Sequence, residues 1–139
     1  MNRSTTISAE LALRLVVPDR TTVPLLATVE YAADDPYALR VAFHVGNDEP
    51  VEWIFARELL TIGMGRLVGD GDVQVWPGDA DGHRSINIGL SSPFGDALFE
   101  APFAPLADFL RRTFQIVPAG RESEFLDITA ELDNLLWPS

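Results

Sequence analysis

VEWIFARELLTIG, residues Val51–Gly63, is the stretch on which the reading of the fold turns. Val51, Trp53 and Phe55 alternate with Glu52 and Ile54, the period of two that lays one side of a strand against a core. From Ala56 the spacing changes. Leu59, Leu60 and Met64 suit one side of a short helix, and Gly63 and Gly65 supply its stop signals. A strand that runs directly into a helix therefore divides the chain near its middle.

Before this junction the chain reads as strands alone. Ile7, Ala9, Leu11, Leu13, Leu15 and Val17 hold alternate positions, with Ser8, Glu10 and Arg14 between them. Pro18–Thr22 is a connection, after which Ala27, Val29 and Tyr31 alternate. Asp34-Asp35-Pro36 is a turn, because Asp carboxylates bond nearby backbone amides and proline pre-sets φ. Leu39, Val41, Phe43 and Val45 form a third strand, ended by Gly46–Pro50. Short turns between alternating strands predict an antiparallel meander.

Beyond the junction, GDGDVQVWP (Gly69–Pro77) opens with a glycine-bracketed turn and continues as a strand carrying Val73 and Val75. Pro77–Gly82 reads as a loop. Ile86, Ile88 and Leu90 give a sixth strand. LSSPFGDALFEAP (Leu90–Pro102) adds a tight turn at Ser91–Gly95 and a seventh strand through Ala97, Phe99 and Ala101. Leu106, Phe109, Leu110, Thr113 and Val117 then fall near helical spacing, with Pro105 in the first turn. Pro118–Glu122 is a linker. Asp127 caps a last helix bearing Ile128, Leu132, Leu135 and Leu136. The prediction is an α+β fold of about seven mostly antiparallel strands with two or three helices.

At 139 residues the chain is expected to form a single domain spanning 1–139. There is no cysteine, so disulfides and thiolate chemistry are excluded. No apolar run approaches the ~20 residues of a membrane helix, and Met1–Ser8 lacks a signal peptide's apolar core. The expectation is a cytoplasmic protein without a transmembrane segment. Charge excludes more. Ten basic residues, all arginine, face 21 acidic ones, for a formal net charge of −11. General nucleic-acid binders collect cations to displace counterions from phosphates, and this chain does the opposite.

Motifs for chemistry are missing. His44 and His83 have no companion at metal-ligand spacing. Asp79-Ala-Asp81-Gly82 resembles the start of a calcium loop, but the twelfth position, where glutamate is required, holds Leu90. Gly65, Gly69 and Gly71 do not make a phosphate-binding pattern, and no lysine exists to serve one. Ser91 and Ser92 lack the flanking glycines of a nucleophile elbow. We therefore expect no catalytic residue, no metal and no cofactor. Aromatics carry more information. Trp53 and Trp76 fall on strands and are assigned to the core. Phe94, at a turn tip, is either folded over the strands or available to a partner. Trp137, at a chain end, either packs back or serves as an exposed anchor. Phe94 and Trp137 are the candidate partner-binding residues.

Taken in order, Glu10–Leu15, Asp35-Pro-Tyr37, Phe43-His44, Val51–Leu60, Gly71-Asp-Val73, Val75-Trp-Pro77, Leu90–Pro93, Glu100-Ala-Pro102 and Asp127–Leu136 resemble the SsgA-like proteins of sporulating actinobacteria. The resemblance extends over nearly the whole chain. It implies a fold similar to the Whirly single-stranded-DNA-binding proteins, assembled as a homotrimer. It also implies a non-enzymatic role in sporulation-specific cell division: an adaptor that marks septum sites, recruits FtsZ or promotes its assembly, and works with other SsgA-like proteins. Single-stranded nucleic-acid binding is the second reading that the fold's relatives imply. The Whirly-type DNA site uses a lysine-containing motif, which this lysine-free chain lacks. An unrecognised hydrolase working through paired carboxylates is a third reading, for which spacing selects no pair.

Overall fold

Alternation in the sequence becomes strand in the computed structural model, which describes residues 5–19, 21–46, 49–93 and 95–126. Four strands come first: β1 (Thr6–Val16), β2 (Thr22–Ala32), β3 (Ala38–His44) and β4 (Val51–Ala56). Helix α1 (Arg57–Gly63) follows without a break, where the period was seen to change. Four more strands follow: β5 (Val68–Asp70), β6 (Val73–Ala80), β7 (His83–Ser92) and β8 (Gly95–Pro102). Helix α2 (Phe103–Ile116) and a 3-10 turn at Glu122–Glu124 complete the described chain. The helix expected over Asp127–Leu136 lies outside the described residues.

The eight strands form one antiparallel sheet in the order β4-β3-β2-β1-β8-β7-β6-β5. Two four-stranded meanders thus meet at a seam, where Arg14–Val16 of β1 pair with Leu98–Glu100 of β8. The sheet is curled. Phe43 on β3 and Phe99 on β8 stand three strand spacings apart, roughly 14 Å on a flat sheet. Their rings nevertheless stack with centroids 4.5 Å apart. Both helices fill the hollow this curl creates. Leu59 and Leu60 of α1, and Leu106, Phe109 and Leu110 of α2, pack with Leu11, Leu13, Val29, Val41, Phe55, Val75 and Ile88 into one apolar core. Each such side chain contributes roughly 1.5–3 kcal/mol when fully buried.

Eight strands stand where seven were expected, because β5 was read as a turn. Its three residues offer only Val68 as an apolar position, too few for alternation to register. Pairing with Val73–Val75 makes it a strand, a tertiary cause with no local signature. The Pro77–Gly82 stretch also differs from expectation. It is mostly strand, and the turn shrinks to Asp81-Gly82, with φ of 54° and 79°. Positive φ at both central residues is the twist-matched two-residue hairpin turn that Asp-Gly favours. Pro77 fits inside β6 for a reason of register. Ser91 N–H donates to Asp72 O at 2.8 Å, so residues 72, 74, 76 and 78 bond toward β7. The N–H that Pro77 lacks would face the other side, where β5 has already ended.

Gly63 ends α1 buried against β6, and a Cβ there would run into the side chain of Val75. A buried arginine fastens the two helices together. Arg57 is 1% exposed and its guanidinium lies between the Tyr31 and Phe114 rings. It donates to Val117 O at 2.8 Å, to Thr113 O at 3.2 Å and to Glu122 Oε2 at 2.9 Å. The first residue of α1 thereby satisfies carbonyls at the end of α2, where intrahelical donors run out. Glu122 is held below the ordinary carboxylate range, first by its own backbone amide and then by Arg57 against the opposing effect of burial. Tyr31 donates its hydroxyl to Pro36 O at 2.9 Å, and burial pushes its phenol up to about 12.

Candidate interaction surface

Both helices lie on one face of the sheet, which leaves the other open among the described residues. Residues of even number on β1, β2, β3, β6 and β8, and of odd number on β7, point to this open face, by the same alternation that fills the core. The register arranges them in rows across the strands. Arg14, Glu100, Asn87 and Trp76 form one row, and Val16, Leu98, Gly89 and Gln74 the next. Asp96, Ser91 and Asp72 form a third, through the Asp96–Ser91 pair and the Ser91 amide bond to Asp72.

A groove of about 540 Å³ runs along these rows, lined among others by Val16, Leu98, Trp76, Gly89, Asp72 and Asp96. Trp76 is half-buried here, with its indole laid over Gly89, which has no side chain to lift it. The assignment of Trp76 to the core is thus corrected: Val73 and Val75 take the covered face, so Trp76 must take the other. Trp53 does stand on the covered face, half-buried beside Phe55 with ring centroids 6.3 Å apart.

A second depression of about 350 Å³ lies on the same face, around Arg14, Pro24, Pro102 and Ser85. Asp81, from the tip of the β6–β7 hairpin, reaches across it to accept a 2.6 Å hydrogen bond from Arg14 Nη1. Both partners are well exposed. This bond is the leading reason that the Asp81 carboxyl titrates below, and the Arg14 guanidinium above, its ordinary range.

Phe94 and Trp137, the residues singled out from the sequence as partner anchors, both lie outside the described residues. Their turn-tip and chain-end positions are readings of the sequence alone. His44 is on the open face, with Nε2 2.8 Å from Thr28 Oγ1, and His83 is exposed at the hairpin. No group of three His, Cys, Asp or Glu side chains capable of holding a metal occurs among the described residues. Nor is any helix there long and apolar enough to cross a membrane. What the sequence reading missed is the Trp76 groove. The phase of Val73 and Val75 was a sufficient signal for the tryptophan, whereas the Asp72–Ser91–Asp96 row needs three strands in register to exist.

The open face offers a grooved surface among the described residues, and comparison with known proteins supplies the context. Residues 25–122 match the family described as Streptomyces sporulation and cell division protein, SsgA. The chain belongs to the SsgA family. It is 59% identical over 128 residues to the sporulation-specific cell division protein SsgB of Thermobifida fusca, covering 92% of this chain and 93% of that one. It is 47% identical over 136 residues to the Streptomyces coelicolor protein of the same name, covering 98% and 99%. The crystal structure of an SsgA-like sporulation-specific cell division protein from T. fusca superimposes with a TM-score of 0.88 at 56% identity, over 97% of this chain and 98% of that chain. A second solved structure, from work linking SsgB mutations to longitudinal cell division during sporulation of S. coelicolor, gives 0.86 at 47% identity, over 91% and 99%. The α+β fold and the place in sporulation cell division rest on these matches, and the family is named for that process rather than for an enzymatic activity.

Proposed function

We propose that this SsgA-family chain is a non-enzymatic adaptor of sporulation-specific cell division. It marks septum sites and recruits FtsZ, or promotes FtsZ assembly there, together with other SsgA-like proteins. The observation that carries this reading is the near end-to-end identity with proteins named sporulation-specific cell division protein SsgB. The sheet face left open among the described residues supports it, since it offers surface to a partner. In the proposed state the chain is a single SsgA-like domain in the cytoplasm, assembled as a Whirly-like homotrimer that holds a polymeric partner by repeating one weak site.

The test is a fluorescent fusion imaged in the native host through sporulation, beside co-sedimentation of the purified chain with FtsZ polymers. Septal bands and pelleting with polymer are the expected results. A fusion that stays diffuse at every stage refutes the adaptor reading, and light scattering at about 15 kDa refutes the trimer. If Phe94 or Trp137 anchors the partner, its replacement by alanine costs roughly 2 kcal/mol or more of binding, with folding unchanged.

A further inference from the structure

We propose that the Trp76 groove binds an extended segment of a partner protein in which a basic side chain and an aliphatic one stand two residues apart. The inference goes beyond FtsZ recruitment and does not depend on it.

The argument begins with the third row. Asp72 and Asp96 flank Ser91 on one line across the sheet, so their backbones are two strand spacings apart, roughly 9–10 Å. Both residues are exposed, and neither has an ion-pair partner among the described residues. Arg14, Arg40, Arg57, Arg111 and Arg121, in contrast, are each paired within the chain. No described arginine forms an ion pair with this row, which leaves it open to a cation carried by a partner. A guanidinium or ammonium seated over Ser91 would meet a carboxylate on either side.

The adjoining row supplies the apolar half of the site. Val16 and Leu98 are half-buried beside Gly89, over which the Trp76 indole lies. Rows on one face of a sheet are separated by two residues, roughly 6.6–6.8 Å, and an extended peptide repeats its side chains on one side at the same interval. A segment lying along the strands therefore puts its basic group between the aspartates and its aliphatic group against Leu98 and Trp76. The aspartates oppose a phosphate backbone, so a nucleic acid does not fit the groove.

The experiment titrates the 15N-labelled full chain with a blocked Ser-Arg-Ser-Leu-Ser peptide, following the amides of Gly71, Gly89 and Asp96 and the Trp76 indole N–H. Saturable shifts confined to this region are expected, and they should weaken as salt rises from about 50 to about 500 mM. The double variant Asp72→Asn/Asp96→Asn should keep the wild-type melting temperature and bind about fivefold more weakly. Trp76→Ala should abolish saturation. Absence of saturable shifts in the groove overturns the proposal, as does equal binding of Ser-Glu-Ser-Leu-Ser or of a peptide with arginine and leucine adjacent. Shifts of the same amides with protein concentration alone overturn it too, because a second copy of the chain would then be the occupant. Loss of septal localisation with peptide binding intact counts against the adaptor reading and leaves this site standing.

Discussion

The covered and open faces of the sheet share the same strands, yet each carries an ion pair of a different kind. On the covered face Arg57 meets Glu122 at 2.9 Å, with side chains 2% and 19% exposed. On the open face Arg14 meets Asp81 at 2.6 Å, with side chains 49% and 74% exposed. The shorter contact is the less consequential one. Water screens the exposed pair and solvates each partner if the other leaves, whereas Arg57 has nowhere to go. The covered face is therefore where substitutions should cost stability, and the open face is where they can change binding without cost.

The sharpest way to break this contrast is Arg57→Met. Methionine has similar length and packs against Tyr31 and Phe114, but it leaves Val117 O and Glu122 without their donor. Removing one partner from a buried pair costs about 3 kcal/mol or more, which lowers Tm by about 10 °C in a chain of this size. Thermal unfolding followed by circular dichroism reads it directly. If Arg57→Met melts with wild type, the guanidinium does not fasten the two helices.

Gly63→Ala comes next. The added methyl runs into Val75, and α1 can move away from β6 only by opening the core. Overpacking of this kind costs about 1–3 kcal/mol. Combining it with Val75→Ala sharpens the test, because the smaller partner makes room. The pair should then lose less stability than the sum of the two single changes, and simple additivity in denaturant unfolding would place the strain elsewhere.

These two residues also mark where the sequence was legible. Gly63 was read as a helix stop, which local chemistry suffices to reveal, but its packing against Val75 depends on β6 arriving from across the chain. Arg57 gave no warning. A lone arginine at a strand-to-helix junction reads as an exposed cation, and its partners Thr113, Val117 and Glu122 are more than fifty residues away. Strands β1, β3 and β4 were legible because apolar alternation is a local property. The β5 strand, at three residues, was too short to carry the pattern. On the open face, the phase of Val73 and Val75 held the signal that Trp76 faces away from the core, but a large ring on a strand was assigned to the core instead. The Asp72–Ser91–Asp96 row was hidden, since it is a product of register.

A smaller effect attaches to Glu122. Its carboxyl is held below the ordinary range in the folded chain, so it contributes stability above the unfolded-state value and loses it as pH falls through the folded one. Glu122→Gln keeps the shape and removes the charge. The variant should be less stable than wild type by about 1 kcal/mol near neutrality, and the gap should close in acid, where the wild-type carboxyl is protonated. Urea unfolding at several pH values measures the gap. A difference that persists unchanged at low pH would mean that the glutamate acts through packing and not through its charge.

The smallest effect belongs to the open-face pair, and it tests the comparison from the other side. Asp81 carries the charge that meets Arg14, and it also holds a backbone φ of 54° in the hairpin turn. Asp81→Asn removes the first role and keeps the second, because asparagine tolerates the left-handed conformation and Asn-Gly favours the same turn. Asp81→Ala removes both. If the exposed pair counts for little, the asparagine variant melts with wild type at low and high salt. The alanine variant should melt lower, through backbone strain at the turn. Equal losses in the two variants would show that the charge matters despite its exposure. The open face would then be held in shape by its own electrostatics, and the division between a face that stabilises and a face that binds would fail at this hairpin.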